Sequence, residues 1–307
     1  MKKILVTGGA GFIGSAIIKH FQEQGHEIHV IDDLSFGDRD FVDVPDANFY
    51  QDDILHREKI FKILAAVQPN WVIHLAAIHF IPYCNEHPYK AANINIQGTM
   101  NVLDATAEVG AGKVLFASTA AVYPISDNAM KEIDAIGPLD IYGVSKLAGE
   151  RISQEFQQRT GIPTIICRFF NAFGPNETNP HLIPEIQEQV NQGRRTIDLG
   201  NTKPKRDFIH TYDMANAIDK LMDLDIEGVE VFNLGRGIEY SVEEIVEAFE
   251  RELGERITIN VDPSRVRKTE RMHLLADVSK LKQRTGWEPE WGIDEGVRTL
   301  IHKAVEQ

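Results

Sequence analysis

Short apolar runs alternate with amphipathic stretches through the first half of the chain: Lys3 to Thr7, Glu27 to Asp32, Trp71 to Leu75, Lys113 to Ala117 and Pro163 to Arg168. These runs lack the strict polar alternation of a half-exposed strand, which is the pattern of parallel strands buried on both faces. Parallel neighbours need long crossovers, usually helical. Phe12 to Gln24, His56 to Val67, Pro88 to Val109 and Asp140 to Gln158 carry apolar residues at helical spacing and fill that role. The expected fold is α/β, a doubly wound parallel sheet of the Rossmann type.

After Asn171 the pattern loosens into FNAFGPNETNPHLIP, whose three prolines and three asparagines favour an ordered loop. The expected division is a dinucleotide-binding domain over 1–172 and a smaller mixed substrate domain over 173–307. Part of 208–235 should pack back on the first domain. Helices are expected around Ile183 to Asn191 and Asp213 to Met222, a strand at Val231 to Leu234, and a helix from Ser241, where Glu244 completes a capping box.

At 307 residues and 43% hydrophobic, the chain has ample length for a real core. Lysine and arginine number 32 against 46 acids, a net charge of −14 that opposes the phosphates of nucleic acid. The longest stretch without a charged residue, Ile63 to Asn85, is broken by Gln68, Pro69, Asn70, His74, His79 and Pro82, so no membrane span is expected there. Cys84 and Cys167 form no disulfide framework and no metal spacing, as a reducing, cytoplasmic setting predicts. No metal is expected.

Chemistry enters with TGGAGFIG, Thr7 to Gly14, directly after a strand and opening a helix. Gly8, Gly11 and Gly14 permit a tight turn and let a pyrophosphate approach backbone amides at a positive helix end, although such a turn also serves packing. The next strand ends at Asp32, 18 residues past Gly14, where a carboxylate accepts hydrogen bonds from ribose hydroxyls and repels a 2′-phosphate. NAD is therefore expected over NADP. Asp33 is either a second partner or a solvated charge. Further on, Tyr142 and Lys146 stand at i and i+4 of a helix, on one face. A neighbouring ammonium and a cationic nicotinamide would both lower the phenol's pKa from its ordinary ~10. Such a pair also occurs on helix surfaces, but Ser118-Thr119 at the end of the fifth strand puts a hydroxyl at the sheet edge where ligands bind.

Together TGGAGFIG, HLAA at 74–77, STAAVY at 118–123, YGVSK and RFFNAFGP resemble the extended short-chain dehydrogenase/reductase family, and within it the nucleotide-sugar epimerases and dehydratases. RDFIH at 206–210 and ADVSKLKQRTGWEP at 276–289 extend the resemblance over the whole chain. It implies NAD contacts from Phe12, Ile13, Asp32, Asp53 with Ile54, Leu75, Ala76, Ala77 and Lys146. Asp53 would meet the adenine amino group. It implies that Thr119 bonds the reacting sugar hydroxyl, that Tyr142 exchanges its proton, and that Lys146 holds nicotinamide ribose. Asn95, Asn171, Arg206 and Arg267 match positions that hold sugar and diphosphate; Arg267 is placed by counting back from Asp277, and Arg265 and Arg271 lie within reach of a gap. A homodimer through 88–109 and 140–158 is also implied.

Departures from the family narrow the reaction. Dehydratases of this group follow the Ser/Thr with an Asp-Glu pair, and here stand Ala120 and Ala121. His79 replaces a lysine near the diphosphate, and Cys84 in the same loop reads as a small buried hydrophobe. The expected function is NAD-dependent epimerisation at C4 of a nucleoside-diphosphate hexose, uridine-linked, through a transient 4-keto sugar. The alternatives are a uronic-acid 4-epimerase, a 4-ketoreductase or a 4,6-dehydratase, and from another class a catalytically silent NAD-binding sensor or scaffold.

Overall fold

The computed structural model describes residues 1–263 and 271–301. Seven strands form one parallel sheet: β1 (Lys3–Thr7), β2 (Glu27–Asp32), β3 (Phe49–Gln51), β4 (Trp71–His74), β5 (Lys113–Thr119) and β6 (Thr164–Phe169), with β10 (Val229–Leu234) from much later in the chain. Their order is β10-β6-β5-β4-β1-β2-β3. The chain builds outward from β1 in one direction, then returns to β4 and builds in the other. The connections diverge between β1 and β4, and a crevice opens there beyond the carboxyl ends of the strands.

The sheet is buried on both faces. On one, α1 (Phe12–Glu23) packs beside α8 (Thr211–Asp223), and Phe21, Leu221 and Trp287 close the core. On the other lie α2 (Arg57–Val67), α5 (Thr99–Val109) and α6 (Ile141–Thr160), with Ile60, Leu64, Val102 and Phe156 packed on β1, β4 and β5. Asp140 caps α6 by accepting from the Gly143 amide at 2.8 Å, and Gly161 in the left-handed region ends it.

The segment expected as one helix over 88–109 is interrupted. After the short helices α3 (Ile81–Glu86) and α4 (Pro88–Ala92), a wider π turn over Asn93–Gly98 leads into α5. Thr99 Oγ1 bonds the Asn95 carbonyl at 2.7 Å, and Gly98 lies so close to Ile54 that an added Cβ would stand 2.4 Å from its Cδ1. Side-chain bonding and close approach thus replace regular helix geometry at this point. The edge strand β3 was not among the apolar runs, because three half-exposed residues carry no readable period.

The rest of the chain adds β7 (Asn171–Phe173), β8 (Thr196–Leu199), β9 (Lys205–His210), β11 (Glu239–Ser241) and β12 (Thr258–Val261) in small sheets of order β11-β9-β7 and β12-β8. These pack with α7 (Leu182–Asn191), α9 (Val242–Leu253) and α11 (Ile293–Ile301) around Ile186, Ile245, Phe249 and Val297, while α10 (Ser279–Thr285) lies against β10. The Ser241–Glu244 capping box starts α9. Among the described residues, no helix is long and apolar enough to cross a membrane.

Candidate active site

A cavity of about 1340 Å³ runs along the carboxyl edge of the sheet and is walled on its far side by the C-terminal elements. At one end lies the glycine-rich turn. An added Cβ on Gly14 would stand 2.3 Å from the Gly8 carbonyl oxygen, so the turn closes only with glycine there. Gly8 at φ +71° has the left-handed backbone such a turn needs. Gly11 caps α1 without a side chain, which leaves first-turn amides facing the cavity. Asp32 is buried beside the turn, and its two oxygens accept from the amides of Ala10 and Leu34, both at 2.9 Å. Burial raises the Asp32 carboxyl above its ordinary range, and those two bonds oppose the rise. Asp33 is exposed and bonded to Ser35, while Asp53 accepts from the Leu55 amide at 2.8 Å.

Mid-cavity, the sheet edge delivers Thr119 and the first turns of α6 deliver Tyr142 and Lys146. The Tyr142 phenol lies beside the Thr119 hydroxyl on the cavity wall. Burial pushes that phenol well above its ordinary value, with Thr119 the leading opposing influence. The neighbouring ammonium and a cationic nicotinamide were expected to lower the phenol; with the cavity as it stands, desolvation is the largest influence on it. Lys146, over the face of Phe116 at 4.4 Å, is pulled down to about 7 by burial, against Glu150, which raises it. Beside Tyr142, Cys84 is buried with its thiol directed to the Ile78 carbonyl and pushed up to about 11, the setting of a small hydrophobe rather than a nucleophile.

Most of the expected residues line this one cavity: Gly8, Gly11, Phe12, Ile13, Gly14, Asp32, Asp33, Asp53, Ile54, Leu75, Ala76, Ala77, His79, Thr119, Tyr142, Lys146, Asn171 and Arg206. Asn95 does not. It is buried behind the wall, accepts from the Ile78 amide at 2.8 Å, and donates to the Ile78 carbonyl and Ser145 Oγ, both at 2.9 Å. With its amide committed, it pins the loop after β4 to α6 and offers nothing to a sugar. Arg267 lies outside the described residues; Arg271 lines the cavity, its guanidinium bonded to the carbonyls of Tyr123 at 2.7 Å and Pro124 at 3.2 Å.

Residues 5–300 match the family profile described as GDP-mannose 4,6 dehydratase. The chain belongs to this family. Among curated members, the UDP-glucose 4-epimerase of Bacillus subtilis (strain 168) is 30% identical to it, over 95% of this chain and 94% of that protein. Among solved structures, the UDP-glucose 4-epimerase of Thermus thermophilus in complex with NAD superposes with a TM-score of 0.89 at 28% identity, covering 99% of both chains. The UDP-N-acetylglucosamine 4-epimerase of Methanobrevibacter ruminantium, in complex with UDP-N-acetylmuramic acid, gives 0.86 at 27% identity, covering 98% of this chain and 99% of that one.

Several cavity residues of this family member escaped the sequence argument. Glu177 lines the cavity, held below the ordinary carboxylate range by His181 against the opposing effect of burial, and Asn179 bridges it to His79, Nδ2 to Nε2 at 3.1 Å. Burial keeps His79 neutral. His79 had been singled out, but the trace of Glu177, Asn179 and His181 in the sequence was the proline- and asparagine-rich loop, which says that backbone is ordered but not what it faces. Arg168, which lies behind the cavity wall, was read only as the end of the apolar run from Pro163. Among the described residues, no three His, Cys, Asp or Glu side chains are placed to hold a metal.

Proposed function

We propose that this chain is an NAD-dependent 4-epimerase of nucleoside-diphosphate hexoses, with a UDP-hexose as its substrate. The observation that carries it is the Thr119–Tyr142 hydroxyl pair on the cavity wall, with Lys146 one turn along α6 and only methyl groups, Ala120 and Ala121, beside Thr119. Elimination of water would need an acid and a base there. Of the cavity carboxylates, Asp140 caps α6 and Glu177 is bonded to His181. The names of the Bacillus and Thermus relatives support the same reading.

The glycine cradle fits a dinucleotide, since the turn closes only without side chains at Gly8 and Gly14 and the uncapped amides of α1 suit the charge of a pyrophosphate. Asp32, Asp53, Ile54 and Leu75 to Ala77 would hold the adenosine half and Lys146 the nicotinamide ribose. When bound, NAD supplies acceptor and donor for the C4 hydride and a positive charge that favours the phenolate of Tyr142. Thr119 orients the C4 hydroxyl, and Tyr142 takes its proton and returns it. Arg206 and Asn171 hold the diphosphate and sugar while the 4-keto sugar turns over in the cavity. Net redox is zero. The test is incubation of the NAD-loaded protein with UDP-glucose in deuterated water. The expected product is UDP-galactose with no deuterium at C5, and accumulation of a 6-deoxy-4-keto sugar overturns the reading. Pairing of two copies through 88–109 and 140–158 belongs to the same proposal, and a monomer by light scattering would remove it.

A further inference from the structure

Glu150 stands on the face of α6 that carries Tyr142 and Lys146, at successive spacings of four. It is 2% exposed, and its carboxylate is bonded from three donors. Ser118 Oγ donates to Oε1 at 2.5 Å, Arg168 Nε to Oε1 at 2.9 Å and Arg168 Nη2 to Oε2 at 2.8 Å. Strand register puts Arg168 on β6 directly between Ser118 on β5 and Asn233 on β10. Arg168 Nη1 reaches Tyr123 Oη at 2.9 Å, and Tyr123 Oη donates to Asn233 at 2.7 Å.

A buried ion pair contributes little stability compared with apolar side chains of the same volume. What this one supplies is placement. Ser118 immediately precedes Thr119, Arg168 lies three residues before Asn171, and Lys146 and Tyr142 lie one and two turns from Glu150. One carboxylate therefore joins the strand that presents Thr119, the helix that presents Tyr142 and Lys146, and the strand that leads to the sugar-facing wall.

We propose that Glu150 is a positioning residue: anchored by Arg168 and Ser118, it sets the spacing of Thr119 and Tyr142 and places a negative charge one turn from Lys146. The groups facing Lys146 agree with this. On α6 they are Tyr142 and Glu150; β5 contributes the Phe116 ring; β4 and its following loop contribute His74 and His79, both held neutral by burial. Glu150 is the group that opposes the desolvation of Lys146.

The kinetic part of this inference rests on the epimerase reading; the lysine titration does not. Because Glu150→Gln alone would strand the Arg168 charge, the test removes both charges in E150Q/R168M and compares it with S118A, which cuts only the tie to β5. In E150Q/R168M the Lys146 titration, followed by NMR of 13Cε-labelled lysine and assigned with Lys146→Met, should move down by ~0.5 pH unit or more. The alkaline fall in kcat should move with it, with kcat down about 10-fold and KM and NAD affinity within about twofold. In S118A, kcat should fall about 10-fold with the Lys146 midpoint in place. An unmoved Lys146 midpoint in folded E150Q/R168M, or unchanged kcat in S118A, overturns the proposal. Should E150Q/R168M not fold, S118A alone decides it by the same kcat criterion. Should the wild type turn over no nucleotide sugar, the epimerase reading fails and the titration decides the positioning role on its own.

Discussion

The two walls of the cavity are built by different means. On the sheet side, polar groups are set by backbone geometry and closed networks: the glycine turn, Asp32 between two amides, and Thr119 and Tyr142 on elements joined through Glu150. On the C-terminal side, arginines from separate segments lean on carbonyls. Arg206 Nη1 bonds the Arg271 carbonyl at 2.7 Å, and Arg271 Nη2 bonds that of Tyr123. The first construction fixes the groups proposed to react through backbone and buried bonds, the placement that proton transfer requires. The second would place long side chains around a ligand, so on the proposed function the chemistry is set by one wall and the grip on substrate by the other.

The largest test of that division is Tyr142→Phe. It removes the proposed proton acceptor and little contact area, and should cost about 10²- to 10⁴-fold in kcat with NAD binding intact by calorimetry. A variant retaining more than about a tenth of the rate would place the base elsewhere.

Next comes cofactor choice, also a property of the sheet wall. Asp32 should make NAD bind more tightly than NADP by about 10-fold or more, since a phosphate there meets a carboxylate and leaves hydrogen bonds unmade. Asp32→Ala should close most of that gap, and equal affinities in the wild type would remove Asp32 from the ribose site.

Arg271→Ala examines the opposite wall. It should raise KM about 10-fold while kcat stays within about threefold, the signature of uniform binding lost. A fall in kcat with KM unchanged would erase the distinction between the walls.

The remaining test concerns stability rather than turnover. His74 bonds Thr7 Oγ1 at 2.6 Å and Thr99 Oγ1 at 2.9 Å, and burial pulls it down to about 3 from 6.5. The unfolded chain therefore binds the proton that the folded chain refuses between those values. The contribution of His74 is complete above ~6.5 and is lost as pH falls below it, by about 1.4 kcal/mol per pH unit. Melting curves between pH 7 and 5 should fall more steeply for wild type than for His74→Gln, and parallel curves would show that His74 titrates freely.

Local signals were legible in the sequence because they depend on neighbours along the chain. A strand, a glycine turn and a helix start make the cradle of Gly8 and Gly14, and i, i+4 spacing alone puts Tyr142 and Lys146 on one face. The apolar runs likewise named β1, β2, β4, β5 and β6, since a strand buried on both faces has few polar residues.

What required tertiary structure is whatever depends on register between distant strands or on burial. Arg168 meets Glu150 only because β5, β6 and α6 pack as they do, and Asn179 meets His79 across a hundred residues. Arg271 lines the cavity from a distant part of the chain, whereas Asn95, within a π turn, is buried behind the wall. The protonation of the site is decided in the same way. Tyr142 and Lys146 are four residues apart in any helix, but how far the phenol rises and the ammonium falls depends on how much water the folded cavity takes from them, and no spacing along a chain encodes that.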